Sequence, residues 1–249
     1  MARYAHDEIK PFAEDASKKE QVREMFDRIA GRYDFMNRIL SARIDVLWRR
    51  KAIRMLAPYK PQLLLDMATG TADMALTAAR MLQPAKIVGV DLSEGMLAVG
   101  RRKVAEAKLG TQIELVAGDS ETINFADNTF DAGMVAFGVR NFENLEKGLG
   151  ELLRVLKPGA PLLVLEFSRP QLPVVKQFYG WYMGWLAPQM ARWFKQNKKA
   201  YQYLNASANA FPDRQHFVDI LNNVGYIDTS FKPLSLGICC IYAGRKRQD

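Results

Sequence analysis

Apolar residues recur along the chain with two different periods, and the changeover falls near residue 62. Before it, the run SKKEQVREMFDRIAGRYD places Val22, Met25, Phe26, Ile29 and Ala30 on one helical face. Ser17 and Glu20 stand ahead of that face at capping-box spacing. A second helical stretch runs from Asp45 to Leu56 and ends before Pro58. After Gln62, short continuous apolar runs alternate with amphipathic stretches. QLLLDMA, KIVGVD, QIELVAGD, FDAGMVAF and APLLVLEFS predict strands. Between them, a helix is expected from Ala72 to Leu82, and another behind Ser93, which can cap it. Leu145, Leu149, Leu152, Leu153 and Leu156 stripe a third, which Pro158 and Gly159 stop. Continuous apolar strands separated by amphipathic helices predict a parallel sheet covered on both faces.

The alternation breaks after Ser168. It resumes at FPDRQHFVDILNNVGY, a helix, and closes with IDTSFKPL and GICCIYAGRK, which are near enough in sequence to pair as an antiparallel hairpin. The expected organisation is therefore a helical cap over residues 1–60 and an α/β domain over 61–249, with a helical insertion at about 170–210. No fixed-period repeat is present, which excludes solenoid folds.

Composition changes this picture little. With 49% apolar and 25% charged residues in 249, the chain has the make-up of one ordinary globular domain with appendages. A net charge of +8 suits anionic lipid, nucleic acid or plain solubility. Cys239 and Cys240 are adjacent on an expected strand, so they point to opposite faces and are read as buried free thiols in a reducing compartment. His6 and His216 are the only histidines, and neither has zinc-like spacing to the cysteines, so no metal is expected. The N-terminus is charged, has no apolar core and contains Asp7, Glu8, Glu14, Asp15 and Glu20, unlike a secretory signal or a transit peptide. The uncharged stretch from Gln177 to Ala191 is too short, and too broken by Pro188, to span a membrane. The expected location is cytoplasmic, with peripheral contact at the inner face of the plasma membrane allowed.

The candidate chemistry lies at the strand ends. In an open parallel sheet, ligands sit beyond the carboxyl ends of the strands, where strand order reverses. Asp66, Asp91 and Asp119 all fall at such ends. Asp91 is placed to accept both hydroxyls of a ribose. Asp119, with Ser120 beside it, can meet the amino edge of an adenine. The loop after Asp66 offers backbone N–H groups, Gly70 and Thr71 to the other end of the ligand. Dinucleotide sites want glycines where a pyrophosphate meets the helix N-terminus, and here Ala68, Gly70 and Ala72 stand in their place. Alanine permits a tight turn but leaves less room for a diphosphate. S-adenosylmethionine, an adenosine with a zwitterionic amino-acid tail, makes no such demand. Asp66, Asp73 and the loop amides can serve its amine and carboxylate.

The runs EMFDRIAGRYDFMNRILS, LDMATGTAD, GVDLSEGML, DNTFD, FGVRN, RVLKPGAPLLVLEFSRP and FPDRQHFVDILNNVGY follow one another from about residue 18 to the end. In that order they resemble the UbiE-type C-methyltransferases of menaquinone and ubiquinone biosynthesis. The opening run and the RVLKPG…EFS run are specific to that family, whereas the first loop marks only the broader methyltransferase class. The resemblance implies an α/β fold, the seven-stranded Rossmann-like class I architecture of methyltransferases dependent on S-adenosylmethionine, with an N-terminal helical cap and an inserted helical segment. It implies methyl transfer to a ring carbon of a polyprenylated quinol, with Thr71, Asp91, Asp119 and Ser120 at the cofactor and Arg140 and Asn141 beside the ring.

The sulfonium is already a strong leaving group, so the protein must supply in-line approach and an electron-rich carbon. Removing a proton from a quinol hydroxyl supplies the second. Resemblance to the cap region makes Asp34, Asp45, Tyr33 and Tyr203 the candidates for that base, with Asn37 at the substrate. Arg140 stays protonated, so its expected role is to stabilise the developing phenolate or orient a water. Trp181 and Trp185, in the basic and aromatic run before Ala200, fit an apolar entrance for the isoprenoid tail that also rests on a membrane surface. The chain departs from the family at Asp45, commonly histidine, at Ala160, commonly glycine, and at Ala136, often serine. Loss of that histidine and serine favours demethylmenaquinol over 2-methoxy-6-polyprenyl-1,4-benzoquinol. An RNA methyltransferase lacks support from any arginine-rich tract, so no nucleic-acid partner is expected, and retention of Asp91, Asp119 and Arg140 argues against a non-catalytic scaffold. A homodimer is allowed.

Overall fold

The computed structural model describes residues 4–12, 15–41, 43–171 and 198–248. Trp181 and Trp185 lie outside the described residues, as does most of the expected insertion. The capping box forms in full: Ser17 Oγ and the Glu20 carboxylate bond each other, Glu20 N–H donates to Ser17 Oγ and Ser17 N–H donates to Glu20. It opens helix α1, Lys18–Leu40, which is followed by α2, Ile44–Arg54. Pro58 then sits in the first turn of a short 3-10 helix, where its missing N–H costs nothing.

Strands β1 (Leu63–Met67), β2 (Lys86–Asp91), β3 (Ile113–Ala117), β4 (Ala132–Ala136) and β5 (Pro161–Phe167) pair in parallel. Helices α3 (Asp73–Leu82), α4 (Glu94–Glu106) and α5 (Leu145–Val155) supply crossovers between them. Beyond Lys198–Ala210 (α6) and Gln215–Val224 (α7), β6 (Ile227–Leu234) and β7 (Cys239–Arg245) form the expected antiparallel hairpin. β7 enters between β5 and β6, giving seven strands in the order β3-β2-β1-β4-β5-β7-β6. The order reverses between β1 and β4, so a crevice opens at the carboxyl ends of those two strands.

Each face of the sheet has its own core. Leu149, Leu152 and Val155 of α5 and Phe217 and Leu221 of α7 cover one face, while Trp48, Ala52 and Ile53 of α2 cover the other with Ala75 and Leu97 of α3 and α4. A third, smaller cluster joins α1 to α6 through Phe12, Val22, Met25, Ile29, Ala200 and Tyr203. Among the described residues no helix is long and apolar enough to cross a membrane.

The loop joining β1 to α3 carries a conformation that the alanines conceal. Ala68, Gly70 and Ala72 have φ of 55°, 56° and 64°, all left-handed. The helix expected from Ala72 therefore starts one residue later. Left-handed alanine costs about 1–2 kcal/mol relative to its ordinary conformation. The Ala68 methyl also sets its neighbour, because a Cβ added at Gly138 would lie 2.5 Å from it. Gly138→Ala is expected to destabilise the protein by about 1–3 kcal/mol through overpacking. Adding Ala68→Gly to that variant removes the opposing methyl and relaxes the loop, and should recover most of the loss in a denaturant-unfolding comparison of the two variants.

Candidate active site

A cavity open to solvent on one side fills the crevice above β1 and β4. Its floor comes from the sheet: Ala68 and Gly70 after β1, Asp91 and Leu92 after β2, Asp119 and Ser120 after β3, and Gly138 and Asn141 after β4. Its roof is α1, through Lys19, Val22, Phe26 and Tyr33.

Polar contacts hold that roof down. Asp27 of α1 accepts from Ser93 Oγ at 2.6 Å and from Gly95 N–H at 2.9 Å, while Ser93 Oγ in turn accepts from Met96 N–H. The N-terminus of α4 is thus capped twice, once from its own chain segment and once from the cap. Helix contact is close enough that a Cβ at Gly95 would lie 3.1 Å from Asp27 Cα. About two turns further along α4, Lys103 bridges Asp34 at 2.6 Å and Asp73 at 2.5 Å, and Thr71 Oγ1 donates to Asp34. Lys18 is buried, and its ammonium donates to the carbonyls of His6, Arg140 and Phe142. Burial lowers its pKa to about 8, the charges of Asp7 and Glu143 opposing the fall.

Asp91 accepts Gly70 N–H at 2.8 Å on one oxygen and Ser93 N–H at 2.9 Å on the other, so its carboxylate is fixed while still facing the cavity. Burial raises its pKa to about 6 against those two hydrogen bonds. Asp66 does not line the cavity. One of its oxygens accepts from Thr69 Oγ1 at 2.6 Å and Ala75 N–H at 3.1 Å, and the other is buried without a partner. Burial raises its pKa to about 7. Asp119 faces the cavity but is already engaged, with Lys19 Nζ 2.5 Å from its carboxylate and 3.5 Å from Glu121.

The structure therefore divides the sequence candidates. Gly70, Asp91, Asp119, Ser120 and Asn141 on the floor and Tyr33 in the roof line one cavity. Thr71, Asp73 and Asp34 meet each other instead, at Lys103. Asp45 is buried between Ser41 and Arg49, which occupy its two oxygens. Asn37 bonds Tyr33, whose pKa is raised by burial. Tyr203 is buried and donates to Asn141 at 3.1 Å. Arg140 turns away from the cavity into the interior, where it donates to the carbonyl of Phe137 at 2.8 Å and to Glu166 at 2.5 Å. Its guanidinium also lies over the Phe167 ring. Arg140 Nε and Glu166 Oε2 are buried and unpartnered. Glu166 and Lys18 escaped the sequence reading because a charged residue in an apolar strand, or at a helix start, reveals nothing of its partner. Lys19 escaped it for the same reason, its partner Asp119 lying on a distant strand end.

The profile of the ubiE/COQ5 methyltransferase family matches residues 14–246. The chain belongs to the ubiE/COQ5 methyltransferase family. A demethylmenaquinone methyltransferase of Bacteroides fragilis is 43% identical over 243 residues, covering 98% of this chain and 99% of that protein. A ubiquinone/menaquinone biosynthesis C-methyltransferase UbiE of Geobacter sulfurreducens is 43% identical, covering 92% and 90%. Among solved structures, an S-adenosylmethionine-dependent methyltransferase of Thermotoga maritima has a TM-score of 0.63 at 20% identity, covering 90% of this chain and 99% of that one, and supports the fold. This member of the family is a methyltransferase with S-adenosylmethionine as methyl donor. The cavity lining has polar and apolar parts for such a molecule: the carboxylates of Asp91 and Asp119, the apolar Leu92 and Met96, and Gly70 of the left-handed loop, whose amide lies against Asp91.

The two raised carboxyl groups leave a thermodynamic mark. Between about pH 4 and pH 7 the folded protein holds protons on Asp66 and Asp91 that the unfolded chain has lost. Their contribution to stability is thus full below pH 4 and is lost as pH rises through about 6 to 7. Asp66→Asn should flatten the upper part of that slope, which is read as Tm against pH in the ligand-free protein.

Proposed function

We propose that this enzyme methylates a ring carbon of demethylmenaquinol, giving menaquinol. The observation that carries the reading is the full-length likeness to demethylmenaquinone methyltransferases at 43% identity, with the cavity's acceptor end walled by Tyr33, Asn141 and Phe137. A benzoquinol ring is the second reading, favoured by the relatives whose names include ubiquinone biosynthesis. A lipid-tailed quinol brings the enzyme to a membrane surface, and the cytoplasmic side is the location that reading requires. The cap over residues 1–60 and the methyltransferase domain over 61–249 are proposed as the working units of the chain.

When bound, S-adenosylmethionine supplies an electrophilic methyl group and its own leaving group. The protein's part is to hold, orient and tune. In this proposal Asp91 receives the ribose hydroxyls and Asp119 the adenine amine, once Lys19 yields it. Gly70 presents backbone to the amino-acid tail, while Thr71, Asp73 and Asp66 act behind the wall by fixing the loop. At the acceptor end Asn141 is oriented by Tyr203 and meets a quinol oxygen. Asp34 and Asp45 are both engaged and serve as anchors rather than bases. Arg140 contributes as a fixed positive charge behind Tyr33 and Tyr203, both of which feel it, and so favours negative charge on the quinol oxygen. Tyr33 faces the cavity and is the group within reach of that oxygen's proton.

Transfer of labelled methyl from S-adenosylmethionine to demethylmenaquinol, and not to a demethylated benzoquinol, is the expected outcome with purified protein. The reverse preference would replace the first ring by the second, and transfer to neither would end the proposal. Arg140→Met alone strands Glu166 and should cost about 3–5 kcal/mol of stability. The double variant Arg140→Met with Glu166→Leu should fold and bind S-adenosylhomocysteine, yet turn over at least about a hundredfold more slowly, the scale of one lost charge-stabilising group. Turnover close to that of the parent enzyme in the folded double variant would reduce the pair to a structural role.

A further inference from the structure

Helix α2 is buried on one side only. Asp45, Trp48, Arg49, Ala52 and Ile53 face inward, and Trp48 packs against Phe137 and Phe167 at the acceptor end of the cavity. The opposite side is exposed and holds Ile44, Leu47, Arg50, Lys51 and Arg54, with Arg43 exposed at the N-cap. At 100° per residue the five helical positions fall within one continuous third of the helix circumference. Leu47 is 61% exposed and Ile44 39%, two of the few large apolar side chains left in solvent among the described residues. The only carboxylate of α2, Asp45, is on the buried side, so the exposed face is apolar and uniformly basic.

A second element meets the same edge. The turn between β6 and β7 is tied to α2 by a hydrogen bond from Trp48 Nε1 to Ser235 Oγ at 2.8 Å. Its next residue, Leu236, is 68% exposed and has φ of 58°. A leucine held left-handed in full solvent loses on both backbone and hydration terms. Such a residue asks for a surface to cover it.

We propose that the outer face of α2, with Leu236 beside it, is a docking surface for an anionic phospholipid bilayer. Arg43, Arg50, Lys51 and Arg54 would meet the headgroups while Ile44, Leu47 and Leu236 enter the boundary of the acyl chains, the arrangement of an interfacial amphipathic helix. Uniform positive charge selects this occupant over a second copy of the chain, which would bring the same charges against themselves. The inner face of α2 packs through Trp48 on Phe137, which lines the cavity, so docking would set the cavity near the membrane that holds a lipid-tailed quinol. That link rests on the proposed quinol substrate, whereas the docking itself does not.

The test is flotation of the full chain with vesicles rich in phosphatidylglycerol and with neutral phosphatidylcholine vesicles. The expected result is flotation with the first only, weakened by added salt. Arg50→Ala with Lys51→Ala should reduce partitioning about fivefold per residue, and Leu47→Ser with Leu236→Ser about tenfold or more. Methylation of a short-tailed soluble quinol should be unchanged in both variants, with that of a long-tailed quinol in vesicles falling in step with binding. Absence of flotation, or flotation untouched by either pair of substitutions, would overturn the proposal. So would loss of self-association, in sedimentation, as the variants' main effect. Inactivity on every quinol alongside intact, variant-sensitive flotation would remove the substrate assignment and leave the docking surface standing.

Discussion

The carboxylate of Asp27 joins two layers that would otherwise only lie near each other. It belongs to α1 and finishes the N-terminus of α4, accepting from Ser93 and Gly95 in positions that water would otherwise fill. A cap of this kind is worth about 1 kcal/mol in isolation. Its larger effect is geometric, because it fixes α1 at close packing distance from α4 and so sets the height of the roof over the cavity. Tyr33, Phe26 and Lys19 reach the site only because that height is fixed. The Asp34–Lys103–Asp73 bridge repeats the arrangement further along α4.

The elements of the fold were legible because their signals are local. Ser17 and Glu20 announce a helix start, the apolar runs announce strands, and Asp66, Asp91 and Asp119 mark strand ends whatever the rest of the chain does. Gly70, Asp91, Asp119, Ser120 and Asn141 meet on the cavity floor for that reason. The partners of Thr71, Asp73, Arg140 and Lys18 were not legible. Thr71, Asp73 and Arg140 find their side-chain partners 37, 30 and 26 positions away, and Lys18 reaches the Arg140 carbonyl across 122, and no period or spacing encodes those choices. The alanines of the first loop were misleading in a more interesting way. Their small size suggested a less demanding turn, yet the backbone takes the left-handed conformations that glycine would allow more cheaply.

The interior pair of Arg140 and Glu166 shows why a charged residue in a recognisable run is hard to place from sequence. A guanidinium buried at this depth needs a carboxylate, and β5 provides one in the midst of an apolar strand. A pair of this kind adds little to stability compared with apolar side chains of similar volume. In the proposed mechanism its value lies in placing a guanidinium near Tyr33 and Tyr203 without exposing a cation to the cavity.

The roof also has an energetic independence from the domain it covers. Its cluster of Phe12, Val22, Met25, Ile29, Ala200 and Tyr203 shares no buried side chain with either core of the sheet. Lifting it breaks a handful of ion pairs and caps but leaves both faces of the sheet closed. In the language of hydrogen exchange, α1 with its own cluster is expected to open apart from the sheet, whereas α2, which covers one sheet face, is expected to open with it. The enclosed site can therefore open through a sub-global fluctuation of the roof, while the strands that carry Asp91 and Asp119 keep their protection.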